Sequence, residues 1–487
     1  MRRIITYLGI AVLGVVGAVF FLHLGDSSAG GSWLVSKQAG NAAGESFPPS
    51  QETTYRMGLY LDTASLGIYG KSVIETRNNL SHPLEDLYFT VYPNAFQTRE
   101  HTPAPISAYR GGFDPGWLQV TEVRVNGRPA EFTMQDISLR VLLAEDVLPG
   151  QHLSITMNWK GKIPRAAYRY GAQDGVIMLG NFYPALNVRQ GDKWLLAANT
   201  AFGDPFCWPC ADFQVKINVP SEYQVISTGT TLSREAEASG RDTVLIEAPR
   251  ARDFALVACW QHLELSAELM GVTVKCHVLP TDQATGRQVL ARATKVLKYF
   301  ACTFGSYPYP EIDIVQVPME GFQGMEYSGL VFLRDEVWHP SYGDERRDFL
   351  VAHELAHQWW FGLVGNDQLR EPWLDEGLAN WSARRYLKEM EGKEYPARYD
   401  VHHNTNLARE LGQMGSRHEY LGTAYNDGEA FWLALEGELG EAKVTQILRS
   451  YLASYRYRIA SARDLRDIIE KEACRDMSPF FEKWFSD

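Results

Sequence analysis

The sequence predicts a multidomain protein, with an N-terminal all-β domain followed by an α/β, mostly helical second domain. Three observations predict it. Between residues 52 and 268, short apolar or alternating runs recur, punctuated by turn dipeptides such as Asn126-Gly127 and Pro149-Gly150. From residue 269 onward, apolar residues recur at helical spacing over much longer segments. The 487 residues are 45% hydrophobic and 22% charged, which supports more than one core and excludes a disordered chain.

The elements follow in chain order. Met1-Arg2-Arg3 precedes an uncharged, mostly apolar run, Ile4–Leu24, of 21 residues. That length can cross a bilayer as a helix, and the two arginines would stay on the cytoplasmic side. Residues 1–25 are therefore read as a transmembrane anchor, placing the body outside the cytoplasm at the cell membrane. The alternative is a signal peptide cleaved near Ser27-Ser28-Ala29, giving a secreted or periplasmic protein. Residues 26–51, rich in Gly, Ser, Ala and Pro, read as a flexible linker.

In the β domain, 52–268, strands are expected at Tyr55–Leu61, Ser72–Thr76, Leu87–Tyr92, Gln119–Val125, Leu153–Trp159, Gln214–Val219, Val244–Glu247 and Phe254–Cys259. In the second domain, 269–487, strands are expected at Val272–Leu279, Ile312–Val317 and Leu330–Leu333. Helices are expected at Ala284–Phe304, Asp344–Phe361, Pro372–Met390, Ala430–Leu439, Ala442–Tyr455 and Ala462–Ala473.

Composition excludes some functions. Lys and Arg number 47 against 59 Asp and Glu, a net charge of −12, with no basic run; this is not a nucleic-acid binder. Six cysteines are too few for a stapled fold. Cys207-Trp208-Pro209-Cys210 lacks the βαβ setting of a redox motif and reads as a local disulfide or two free thiols.

The chemistry concentrates in His353-Glu354-Leu355-Ala356-His357. On a helix, positions i and i+4 share a face, so both imidazoles can reach one Zn²⁺ while Glu354 points to its water. Eighteen residues separate His357 from Glu376, which stands about one turn into a helix that begins near Pro372, where it can face back as a third ligand. Two His and one Glu leave a fourth position open, as a catalytic rather than structural zinc requires. Asp375 and Asn380 are candidates to orient these ligands, or else residues of the helix surface. His402, His403 and His418 lack ligand spacing and read as surface histidines.

Together with Gln323-Gly324-Met325-Glu326-Tyr327, this set resembles the gluzincin zinc aminopeptidases, the family of aminopeptidase N and leukotriene hydrolase. Their signature is HExxH, eighteen residues, then Glu, preceded by G-x-M-E-N. Val91-Tyr-Pro-Asn94, Asn181-Phe-Tyr-Pro184 and Gly203-Asp-Pro205 resemble parts of the family's β domain. The resemblance implies a saddle-like β domain and a thermolysin-like catalytic domain, in a short form lacking the helical C-terminal domain of larger members. It implies one Zn²⁺ per chain, held by His353, His357 and Glu376. It implies Glu354 as general base and then proton donor, and Tyr425, in Tyr425-Asn426-Asp427-Gly428, as donor to the oxyanion. Gly324, Met325 and Glu326 would bind substrate, Glu326 taking the free α-amine of a peptide.

The chain departs from the family at Gln323 and Tyr327, where the family usually has other residues, and in the β domain. Tyr327 stands in place of Asn, and the Q-x-E of the β domain is not recognisable. A missing C-terminal domain would also leave the cleft open to longer or bulkier peptides. The expectation is a membrane-anchored zinc aminopeptidase acting on peptides with a free N-terminus. The alternatives are an endopeptidase indifferent to the amine, or a catalytically silent surface binding protein on the same fold.

Overall fold

The computed structural model describes residues 53–190, 193–393 and 406–485. The run Ile4–Leu24, the linker, and His402 and His403 lie outside the described residues. Among the described residues, no helix is long and apolar enough to cross a membrane.

The first half is built on an eight-stranded sheet. Its order is Thr230–Ala236, Arg241–Ala251, Ala211–Pro220, Thr54–Asp62, Gly67–Arg77, His152–Lys162, Trp117–Val125 and Arg128–Pro129. All neighbours are antiparallel except Thr54–Asp62 against Ala211–Pro220. Alternation explains the sheet: in Gly67–Arg77 every second residue is buried, from Ile68 to Thr76. Gly70 has no freedom to be anything larger. A Cβ there would lie 2.0 Å from the Trp159 indole, which packs across the strand and donates through Nε1 to Ser72 Oγ at 3.0 Å.

Two four-stranded sheets complete the domain. One contains Val176–Leu179, which is buried on both faces and shows no alternation. Its outer surface (Val176, Met178, Ile226, Val257) packs directly on Val315, Met325, Tyr327 and Phe332 of the second half. The two halves therefore share an apolar seam.

The second half carries a five-stranded sheet in the order Leu263–Leu269, Val272–Val278, Glu311–Val317, Leu330–Arg334 and Gly324–Tyr327. The hairpin Leu263–Val278 belongs to this sheet, so the expected boundary at residue 268 falls inside a strand. The HExxH helix spans Asp344–Ala356 and the helix bearing Glu376 spans Trp373–Glu391.

The HExxH helix is shorter than the sequence pattern suggests, which ran to Phe361. Trp359, Trp360 and Phe361 continue the apolar periodicity, but they are buried outside helical geometry. Phe361 takes a φ of 136°, and Gly362 N–H returns to His357 C=O. The indoles of Trp359 and Trp360 donate to Gly305 C=O and Ser382 Oγ, partners off the helix axis. A further helix, Ser478–Phe485, too short to show a period, packs Phe480 and Phe481 on Phe431.

One side chain ties the halves together. Arg252, buried, donates to the carbonyls of Trp208, Phe361, Gly362, Leu363 and Arg458. The six cysteines are all free; Cys207 and Cys210 are buried, and burial raises both thiols above their usual range.

Candidate active site

His353 and His357 stand one turn apart on the end of the Asp344–Ala356 helix. His357 caps it and is still in right-handed helical geometry, so the i, i+4 spacing is preserved. Glu376 lies in the first turn of Trp373–Glu391, which packs with that helix in one apolar cluster. The backbone at Gly377 passes so close to Gly428 that a Cβ would sit 2.4 Å from its carbonyl carbon.

The three donor atoms form a triangle. His353 Nε2 and His357 Nε2 are 3.1 Å apart, and Glu376 Oε2 lies 3.3 and 3.4 Å from them. Ligands about 2.0–2.1 Å from a tetrahedral zinc stand about 3.3 Å from one another, so the triangle fits that ion. The chemistry of the set agrees. Two imidazole Nε2 atoms face each other, with Glu376 Oε2 buried and without a hydrogen-bond partner. A cation between them satisfies all three at once.

The other oxygen of Glu376 is already engaged. Tyr420 Oη donates to Oε1 at 3.3 Å, and Tyr425 Oη donates to the same atom. These hydrogen bonds leave Oε2 turned to the imidazoles. His357 Nδ1 is paired with Trp360 C=O at 3.0 Å, which directs Nε2 into the site. Asn380, one turn beyond Glu376, lies against His353 and donates to Tyr425 C=O at 3.4 Å. Asp375 works differently. Its carboxylate accepts from Asn366 Nδ2 (3.1 Å) and Gln368 Nε2 (2.8 Å), anchoring the loop that launches the Glu376 helix.

Glu354 and Gly324 line the floor of the cleft, and Glu326 lies buried just beyond them on the same strand as Gly324, near His357. Gly324–Tyr327 is the last strand in its sheet order. Arg334 N–H donates to Gln323 C=O, so strand alternation turns the backbone groups of Gly324 and Glu326 away from the sheet, toward an incoming strand. The same alternation sends the Gly324 position and the Glu326 side chain to one face. A Cβ at Gly324 would lie 2.0 Å from Glu354 Oε1, so only glycine admits the carboxylate. Met325 and Tyr327 point the other way, into the seam with the β domain. Met325 is thus part of the support behind the strand. Gln358 fixes the turn after it, donating to Tyr327 C=O at 3.0 Å and accepting from Gly329 N–H at 2.9 Å.

Burial governs the electrostatics. It pushes Glu354 up to about 8 and Glu326 well above the carboxylate range. Burial also lifts Asp375 to about 7, with the Glu376 charge adding to it. Burial would raise Glu376 too, but the neighbouring His353 and His357 imidazoles outweigh it and hold this carboxyl well below its usual value. Burial lowers His353. Four acids crowded in a dry site favour a divalent cation.

All the sequence-predicted residues converge here, with Met325 behind the strand rather than in the cleft. His418 is exposed, as its spacing suggests. Sequence reasoning missed Tyr420, Gln358, Asp204, Arg384 and Arg417. Asp204, from Gly203-Asp-Pro205, is a buried β-domain carboxylate ion-paired with the buried Arg169, and its charge acts on Glu326, Glu354 and Tyr425. Its tripeptide marked the β domain, but nothing local marked it as part of the site.

Comparison with known proteins agrees with this geometry. Residues 289–484 match the peptidase family M1 domain. The chain is 25% identical over 317 residues to Aminopeptidase M1-B of Oryza sativa subsp. japonica, covering 57% of this chain and 35% of that protein. It is 23% identical over 421 residues to Aminopeptidase M1 of Arabidopsis thaliana, covering 75% and 46%. The chain thus spans less than half the length of these relatives. Among solved structures, an M1 zinc metallopeptidase from Deinococcus radiodurans superposes with a TM-score of 0.64 at 17% identity, covering 90% of this chain and 93% of that one.

Proposed function

The chain belongs to the gluzincin, aminopeptidase N-like family of M1 zinc metallopeptidases, and from that premise we propose that it is an aminopeptidase, hydrolysing the first peptide bond of peptides with a free N-terminus. The observation that carries this reading is the pairing of the His353–His357–Glu376 triangle with buried Glu326, which shares a strand face with Gly324 beside Glu354.

His353, His357 and Glu376 would hold one Zn²⁺, which, when bound, makes water nucleophilic near neutral pH and polarises a carbonyl. The remaining work belongs to the chain. Glu326 pairs with the substrate ammonium, and this fixes the first peptide bond next to Glu354. The outward backbone groups of Gly324 and Glu326 pair with the extended peptide. Glu354 accepts a proton from the attacking water and returns it to the departing amine nitrogen. Tyr425 Oη, now donating to Glu376, turns to donate to the oxyanion as charge develops there. Tyr420 keeps its hydrogen bond to Glu376 Oε1, so the ligand stays oriented when Tyr425 leaves it.

The run Ile4–Leu24, behind Arg2 and Arg3, supports a membrane tether with the catalytic body on the extracytoplasmic side. Protease protection of the full chain in sealed vesicles tests this, and complete release by an alkaline wash would overturn it.

The activity is tested with aminoacyl fluorogenic substrates, with and without chelator. Release that chelator abolishes, that zinc restores and that Glu354→Gln eliminates is the expected result. A folded, zinc-loaded protein that releases nothing refutes the aminopeptidase reading.

A further inference from the structure

We propose that the cleft takes short peptides by both ends, with the Arg417 guanidinium binding the substrate's carboxylate terminus. This rests on the aminopeptidase reading and adds a substrate class to it.

The cleft in front of the HExxH helix encloses about 910 Å³, open to solvent. Phe349, Leu350 and Leu421 give it an apolar wall, and Arg384 and Arg417 give it two guanidinium groups. These two cations differ. Arg384 is ion-paired with the buried Glu429 carboxylate, which cancels its charge. Arg417 is exposed and donates to Gly321 C=O; among the described residues it forms no ion pair. One carbonyl engages one of its five N–H donors and leaves the charge and the rest of the fork available. The cleft therefore carries one uncompensated guanidinium.

Its position along the substrate path follows from the strand. Glu326, for the amine, is followed toward the N-terminal end of the strand by Gly324, against which Glu354 lies. A peptide with its amine at Glu326 and its first bond at Glu354 therefore continues back past Gln323 and Phe322 toward Gly321. Arg417 closes that path by its bond to the Gly321 carbonyl. The five steps from Gly321 to Glu326 span at most about 17 Å at strand rise. An extended peptide of about five residues covers that full distance from amine to carboxylate, and a shorter one suffices because the segment bends at Gly321, whose φ is 89°. The planar fork of arginine matches a carboxylate bidentately, which a lysine would not. An acid at one end and a guanidinium at the other make the cleft complementary to a short zwitterionic peptide. Longer peptides still enter an open cleft, but without the second charge contact.

A carboxylate could also come from an Asp or Glu side chain, so the test separates the two. The zinc-loaded full chain is given tri- to pentapeptides in three forms: free acid, C-terminal amide, and amide with Glu at the last position. The free acid is expected to exceed the plain amide by about 10-fold in kcat/KM, carried by KM. Arg417→Ala brings acid and amide to parity, Arg417→Glu inverts the preference, and Arg417→Lys retains part of it. A wild-type enzyme that treats acid and amide alike at every length overturns the proposal, as do variants that keep the wild-type preference. Recovery of the full free-acid rate by the Glu-bearing amide overturns the assignment to the terminus. Release from aminoacyl fluorogenic substrates without any acid preference sinks this inference alone. Absence of release from those substrates sinks the aminopeptidase reading with it.

Discussion

The two halves of the molecule bury their polar groups differently. The β domain hides a largely apolar core, in which Met57, Leu59, Ile68, Ile155, Trp159 and Ile217 meet across sheets; polar groups within it are paired, as Trp159 with Ser72 and Asn218 with Thr243, and its buried charges, Arg169, Asp204, Arg252 and Asp253, lie against the second half. The second half buries Glu326, Glu354, Asp375 and Glu376 around His353 and His357, leaving Glu354 Oε2 and Glu376 Oε2 without hydrogen-bond partners. The first half is arranged for stability. The second half keeps costly buried charge next to the open side of a strand, and burial of this kind persists where the groups serve chemistry. The comparison teaches that substitutions in the two halves should fail in different ways.

The largest effect is expected from Glu354→Gln. It removes the base, lowering kcat by about 10³-fold, while relieving a crowded set of carboxylates. Its melting temperature should equal or exceed that of the wild type, and calorimetry beside steady-state kinetics checks both. A loss of activity accompanied by unfolding would erase the distinction between the halves.

Trp159→Ala should do the opposite. It opens a cavity beneath Gly70 and strands Ser72, costing about 3–5 kcal/mol of stability. The kcat of the protein that remains folded should be unchanged; denaturant unfolding and active-site titration measure the two quantities.

Gly324→Ala tests the join between strand and base. The new Cβ must push Glu354 aside, and a displacement of about 1 Å is expected to cost about 10²-fold in kcat/KM. Metal content should stay at one zinc per chain by elemental analysis, because the ligands are untouched. Tyr420→Phe is the mildest change. It removes one hydrogen bond to Glu376 Oε1 and should weaken zinc binding by about 10-fold in a chelator competition, with little change in kcat at saturating metal.

How much of this was legible in the sequence follows the same division. The strands of the β domain could be read where one face is buried, as in Gly67–Arg77. Val176–Leu179 was missed because both its faces are covered and alternation disappears. In the second half, His353, Glu354 and His357 were legible because helix spacing brings the two imidazoles to one face, and Glu376 because it stands one turn into a second helix that can face back. Tyr425, Gly324 and Glu326 came from the family resemblance, since their spacing to the histidines encodes nothing by itself. The end of the HExxH helix was misread because Trp359 and Trp360 satisfy the apolar period while their indoles need polar partners elsewhere. Asp204 reaches the site from the β domain, and Tyr420 and Arg417 from a distant segment of the second half, and only tertiary packing places them there.

The central claim is that Glu326 reads a free amine beside the zinc triangle, and one paired measurement tests it. The same peptide is offered to the zinc-loaded protein with its N-terminus free and with it acetylated, and release of the first residue is followed by mass spectrometry. The account predicts cleavage of the free peptide, about 10²-fold or more slower cleavage of the acetylated one, and a collapse of that ratio in Glu326→Ala. Equal cleavage of both peptides by the wild type would contradict it and make the cleft that of an endopeptidase.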